Sequence, residues 1–307
     1  MYILNRTLYA HDQERIQKSN EELYRIQEAI STGKQINRPS DNPEGTRQVL
    51  NYRTILSNIG QYSENIDFGQ RWCQVTNDTL DAVGQSLLRC RELAQSQVDS
   101  SASQETRAVS AKEVEGMYQD LLGLANTKHE GRYLFAPERM DAPPFDPDTV
   151  LDEPLPENPT ENPTVPTPEF FMRIKIGDER DVQINTSKDV FTGGEQGKNL
   201  FKVMDQLKTG LEGNDPEAIN AAFAEIDQAL KQVTLQQGGI GVKMQRLDRH
   251  QEALDKLKNL TETSLSQRED ADLIEKSLEF ITKSDNHSIN IATLAKILNT
   301  NLLDLLG

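Results

Sequence analysis

Residues 14–33 read ERIQKSNEELYRIQEAISTG, and this stretch decides the fold. Ile16, Leu23 and Ile30 recur every seven residues, with Ile26 three after Leu23. Such a repeat keeps one narrow apolar stripe on the same side of a helix, the pattern of a coiled-coil seam. Glu14, Arg15, Lys18, Glu21, Glu22 and Arg25 flank the stripe with charge, and Gly33 supplies a stop. Burying Ile16, Leu23, Ile26 and Ile30 would contribute about 1.5–3 kcal/mol each. Ordering the backbone costs on the order of 1–2 kcal/mol per residue before helical hydrogen bonds offset part of it. A lone helix with so narrow a stripe is marginal in water, so it needs a facing surface.

The other end of the chain offers one. Ile291, Ala295, Leu298, Leu302 and Leu305 alternate steps of four and three. The segments between are also mostly helical. After a polar loop, Asp41 and Glu44 resemble a capping box with Pro43 in the first turn. Ile55, Ile59, Tyr62, Ile66, Leu80, Val83 and Leu87 then mark one face of a helix to about Gln97, with Gly60 and Gly69 as candidate kinks. Ser103 opens a third helix to about Thr127, followed by a strand-like Glu130–Phe135. Residues 170–185 alternate as a hairpin turning at Gly177-Asp178. Helix returns after Gly197, and again at Asp215-Pro216. Gly238-Gly239 is expected to end or bend that second helix, and a final stretch to run from Val242 through Leu273, Leu278 and Ile281.

Between Pro137 and Pro168 lie ten of the 13 prolines, and between Glu138 and Glu161 eight carboxylates face one arginine. Each proline removes an N–H donor, so residues 141–168 read as a surface loop or extended spacer. The expected class is mainly α: a long antiparallel helical bundle or coiled coil built from both terminal regions, with a small β-rich central insertion. The expected division is a terminal coiled-coil domain from 1–40 and 282–307, a helical bundle from 41–136 and 197–281, and an outer Pro/β insertion at 137–196.

Composition narrows the function. The 307 residues carry 33 Lys and Arg against 49 Asp and Glu, a formal charge of −16. Such a chain lacks the basic face needed for nucleic acid and is repelled by anionic membranes. Apolar residues make up 36% and aromatics 6%, favouring thin helical layers. No run approaches the ~18 apolar residues of a membrane span, and the N-terminal sequence shows no cleavable signal peptide. Cys73 and Cys90, 17 positions apart in one helical pattern, are too distant for a disulfide and read as small reduced hydrophobes. His11, His129, His250 and His287 share no ligand spacing, and no phosphate loop or nucleophile elbow occurs. No enzyme, cofactor or metal site is expected.

Local motifs go further than periodicity. The stretch 30–43, ISTGKQINRPSDNP, resembles the SGKRINSPSDDP segment of the flagellin superfamily, in the double-proline form of its hook-associated branch. GRYLFA at 131–136 is similar to the family's GRYLFAG bend; REDAD at 268–272, LAKIL at 294–298 and NLLDLL at 301–306 match its terminal helices. The chain departs at Ala136-Pro137-Glu138, where the family has AGT, and in its Pro/Glu-rich insertion.

The resemblance implies a non-enzymatic structural component of the bacterial flagellum. It would assemble as a ring between hook and filament, contact neighbouring hook-associated and flagellin subunits, and be secreted with an export chaperone but no cleaved signal. Under that reading Leu8, Ile16, Leu23, Ile26, Ile30, Ile291, Leu294, Leu298, Leu302 and Leu305 form the assembly interface. Filament flagellin and a self-contained cytoplasmic coiled-coil module are the alternatives.

Overall fold

The computed structural model describes residues 2–98, 103–136, 143–146, 151, 172–194 and 197–306, with side chains from His11 to Lys296, Asp12 excepted. Seven helices dominate them: α1 (Tyr2–Thr32), α2 (Pro43–Gln97), α3 (Gln104–Ala125), α4 (Asp189–Thr192), α5 (Leu200–Glu212), α6 (Pro216–Glu269) and α7 (Leu273–Leu306). Two antiparallel hairpins complete the list, β1 (Lys128–His129) with β2 (Arg132–Tyr133), and β3 (Arg173–Gly177) with β4 (Arg180–Gln183). The fold is mainly α with a small β insertion, as expected from the sequence.

The chain divides into two compact units, Met1–Ile59 with Asp255–Gly307, and Gly60–Leu254. The second holds the larger core. Trp72, Leu80, Leu87 and Cys90 of α2, Leu121 of α3, Met204 and Leu207 of α5, and Ile226, Val233, Ile240 and Leu247 of α6 are all buried. Phe135, Phe145, Phe191 and Phe201 meet as an aromatic cluster, the tightest pair being Phe135–Phe191 at 4.8 Å between centroids. Edge-on approach is what the ring quadrupoles favour. Both cysteines are free and buried. In the β3–β4 hairpin, Ile174, Ile176, Val182 and Ile184 turn inward while Arg173 and Lys175 face solvent. It sits on α2 where Gly69 lacks a side chain; a Cβ there would lie 2.4 Å from Ile174 Cδ1.

Several local expectations change. The cap of α2 is Asn42, whose Oδ1 accepts from the Gly45 N–H at 2.8 Å, and not Asp41, which instead accepts from the Arg38 N–H at 3.0 Å. Gly238-Gly239 neither ends nor bends its helix into two elements: α6 runs unbroken to Glu269. Val233, Ile240 and Leu247, buried at seven-residue spacing, hold the backbone helical against the glycine propensity penalty of about 1 kcal/mol. The stretch from Val242 to Ile281 is not one helix. It breaks at 270–272, where Asp272 Oδ1 takes the N–H groups of Ile274 and Glu275 and starts α7. The strand-like 130–135 is a tight hairpin whose turn residues Glu130 and Gly131 both have positive φ, 50° and 79°.

Ser103 does cap α3, accepting from the Thr106 N–H. Most of the 141–168 spacer lies outside the described residues, but Phe145 is buried and exchanges two hydrogen bonds with the Asn126 side chain, at 2.9 and 3.1 Å.

Candidate assembly surfaces

Within the first unit, α1 and α7 lie antiparallel. Lys283 Nζ reaches Glu22 Oε2 at 2.6 Å, and His287 Nδ1 lies 3.1 Å from Ser19 Oγ. Ile26 and Ala29 are buried, while Ile16, Ser19, Leu23 and Ile30 are half-buried. The half-buried positions of α7 are Lys276, Glu279, Phe280, Lys283, Ser284, His287, Asn290 and Leu294. They recur at three- and four-residue steps and mark the side toward α1.

That side is polar. The apolar side of α7 points elsewhere: Ile274 is 75% exposed, Leu278 62%, Ile281 58% and Ile289 61%. At 100° per residue these four lie on one stripe, roughly opposite the α1-facing positions. α7 therefore has two faces, one occupied by its own α1 and one open. A run of exposed isoleucine and leucine on an otherwise acidic chain is a candidate surface for another protein.

The α1–α2 loop and the α6–α7 break are fastened together. Lys34 forms an antiparallel bridge with Asp270; the Gln35 N–H donates to Glu269 O and the Ala271 N–H to Gly33 O, both at 2.8 Å. Gln35 Nε2 adds a bond to Arg268 O at 2.9 Å. At the centre sits the Glu269 carboxylate, 5% exposed, paired with Lys34 Nζ and with Arg53 Nη2. Burial alone would raise its pKa; the hydrogen bonds from Lys34 and Arg53 outweigh that and hold it below the usual carboxylate range. Gly33, with φ of 70°, provides the left-handed residue that lets α1 end into this bridge.

Of the residues expected at the interface, Ile16, Leu23, Ile26 and Ile30 lie on the α1 face toward α7. Leu294 is half-buried and Ile291 is exposed. Leu8, Leu298, Leu302 and Leu305 lie outside the described side chains. Periodicity did not single out the open stripe Ile274–Ile289, though Ile274 and Ile281 repeat at the same seven-residue interval as the α1 seam. Glu269 with Lys34 and Arg53 was also missed as a site. Its signal was present: GK at 33–34 and RED at 268–270 fall in two separate motifs that meet here.

Among the described residues no helix is long and apolar enough to cross a membrane, and no group of three or more His, Cys, Asp or Glu is placed to hold a metal ion.

Comparison with known proteins identifies the family. The model of the bacterial flagellin N-terminal helical region matches residues 3–139, and that of the C-terminal helical region matches residues 223–306. Together they account for more than two thirds of the sequence. The chain belongs to the flagellin family. The flagellar hook-associated protein 3 of Salmonella typhimurium is 26% identical over 241 residues, 73% of this chain and 72% of that protein. The flagellar filament core protein flaB2 of Brachyspira hyodysenteriae is 23% identical over 296 residues, 96% of this chain and 95% of its own length. A solved Vibrio parahaemolyticus structure, provisionally assigned as a hook-associated protein, superposes with a TM-score of 0.65 at 20% identity, covering 75% of this chain and all of that one. This member of the flagellin family is thus a flagellar structural component, similar both to hook-associated and to filament proteins. The residues that fasten loop to break are contributed by both family regions, Lys34 and Arg53 by the N-terminal one and Glu269 by the C-terminal one.

Proposed function

We propose that this chain is the adaptor between hook and filament. Copies assemble as a ring on the end of the hook, and the ring presents a flagellin-like surface on which the filament grows. The observation that carries the reading is the two-faced α7: one face is covered by α1, and the other displays Ile274, Leu278, Ile281 and Ile289. Burying what these four still expose is worth on the order of 4–8 kcal/mol gross. The entropic cost of association is about 4–15 kcal/mol. A pairwise contact through this stripe alone is therefore weak, whereas an array in which each copy touches several neighbours accumulates enough. That suits a chain that stays monomeric until delivered to a growing structure.

In this reading the inner layer is 1–40 with 282–307, the middle layer 41–136 with 197–281, and the outward insertion 137–196. The partners are further copies of the chain, an adjoining hook-associated protein and flagellin, with an export chaperone before assembly. The interface residues proposed from the sequence, Leu8 to Leu305, belong to the inner layer. Secretion through the flagellar export apparatus places the protein outside the cell.

A second reading, bulk filament subunit, is supported by the match to the flaB2 core protein over nearly the whole chain. Deleting the coding sequence tests whether the chain is needed for a filament, and its abundance in sheared wild-type flagella separates the two readings. The adaptor reading predicts intact hooks without filaments, and a minor band for this chain in sheared wild-type flagella. Filaments that still grow from hooks lacking it would overturn that reading, and a dominant band would favour the filament subunit.

A further inference from the structure

The second unit carries two faces of opposite charge. On α6, Lys231, Leu235, Gly238, Val242, Arg246 and Arg249 all point away from the buried Val233, Ile240 and Leu247. Between Asp227 and Asp248 the sequence has no carboxylate, in a chain that averages one every six residues. Leu235 is 76% exposed and Val242 63%. A Cβ on Gly238 or Gly239 would meet nothing within 4 Å. Among the described residues no carboxylate lies within ion-pair distance of Lys231, Arg246 or Arg249; Arg249 only donates to the Gln245 carbonyl, at 3.2 Å. The positive field along this side is felt by His250, whose pKa is held down by burial first and then by Arg246, Arg180 and Arg249.

On α2, the positions opposite its buried core are Glu64, Asp67, Arg71, Gln74, Asp78 and Asp81, all exposed. Among the described residues Asp78 and Asp81 accept only from the neutral Gln74 and Gln85 side chains, each at 2.8 Å. Four carboxylates and one arginine thus form an acidic stripe.

We propose that the basic face of α6 receives the acidic face of α2 from a second copy. The inference rests on the ring reading above and names the lateral contact it needs. The spacing supports it. Arg249 opposite Glu64, Arg246 opposite Asp67 and Lys231 opposite Asp81 agree to within one residue of a single antiparallel register. Val242 and the Gly238-Gly239 gap then stand opposite the long side chains of Arg71 and Gln74. Inside one copy, Gln70–Asp248 and Arg91–Asp227 fix α2 and α6 antiparallel in nearly the same register. The proposed contact differs from it by five or six residues, an axial stagger of roughly 7–9 Å at 1.5 Å per residue. That is small against helices of this length, so neighbours stand almost side by side. A contact joining two different faces of the same molecule propagates head to tail and closes into a ring when its rotation permits.

The test uses full-length protein in flagella purified from cells. A zero-length carbodiimide joins only amines and carboxylates already in contact. Lys231 should cross-link to Asp78 or Asp81 in flagella, and not in the dilute monomer. The variant R246E/R249E should lose incorporation while keeping its circular dichroism, and adding E64R/D67R should restore it. Wild-type incorporation by R246E/R249E, or a Lys231 cross-link to a different protein, overturns the face pairing while leaving the ring reading intact. Absence of the wild-type chain from purified flagella would defeat both.

Discussion

Arg53 on α2 donates through Nη2 to Oε1 of Glu269, in the last turn of α6, at 2.5 Å. The same carboxylate pairs with Lys34 just after α1, so one buried side chain joins three segments of the first unit. The two cations are about half exposed, at 43% and 51% of their side chains, so each can rehydrate if the carboxylate is lost. The cost of removing Glu269 is therefore that of a buried hydrogen-bonded group, about 1–3 kcal/mol. Glu269→Ala should lower the denaturation midpoint accordingly. It should also speed amide exchange at Gln35 and Ala271, whose N–H groups lie in the bridge, while exchange in the aromatic cluster stays as it is.

The same carboxylate makes the joint sensitive to acid. Its pKa in the folded protein is below the ordinary value of 4.5. The unfolded chain therefore takes up a proton at higher pH than the folded one. The stabilisation is fully present above about pH 4.5 and is lost as pH falls through the folded value. Protection of the Gln35 and Ala271 amides, measured relative to their intrinsic exchange rates, should fall in that acid window in the wild type, and be nearly flat with pH in Glu269→Gln.

The open stripe of α7 gives a prediction that separates assembly from folding. Ile281 is 58% exposed, so Ile281→Glu should change monomer stability by no more than about 0.5 kcal/mol. Helicity should be unchanged. Motility should be lost, because a carboxylate cannot be buried between copies without a partner.

Two glycines should respond in opposite senses. At Gly69 a methyl group would collide with Ile174 and press on Leu247, 2.4 and 3.2 Å away. Gly69→Ala should therefore destabilise by about 1–3 kcal/mol. At Gly238, where space is open, alanine should stabilise the monomer by about 0.5–1 kcal/mol through helix propensity. If the α6 face docks a second copy, Gly238→Ala should weaken incorporation despite the firmer monomer. Thermal melts of both variants, with flagellar incorporation of the second, check the pair.

Burial pushes the Cys73 thiol up to about 11 and the Cys90 thiol up to about 12. Neither is a thiolate near neutral pH, and neither is accessible. A thiol reagent at pH 8 should find no reactive group in the folded chain and two after unfolding.

The sequence carried the helices because their apolar positions repeat strictly, as with Ile16, Leu23 and Ile30. It misplaced boundaries where tertiary packing decides. Glycines 238 and 239 stay helical because Val233 and Ile240 are anchored on either side, and the break after Glu269 follows from Asp272 capping α7. The proposed interface was legible only in part. Hydrophobic period identifies residues that want a partner, but cannot say which stripe the chain covers itself. Ile26 is buried by the same chain, and Ile274 is not. The ion cluster at Glu269 was not read because Glu269 lies 216 positions from Arg53 and 235 from Lys34, in a separate motif that periodicity does not join to theirs.

The central claim is that α7 is covered on its second face only in the flagellum. With Cys73 and Cys90 buried, Ile281→Cys creates a single reactive thiol on that stripe. Its labelling rate should be measured in the purified monomer and in flagella bearing the chain. Fast labelling of the monomer and strong protection in flagella is the result this account predicts; equally fast labelling in both would contradict it.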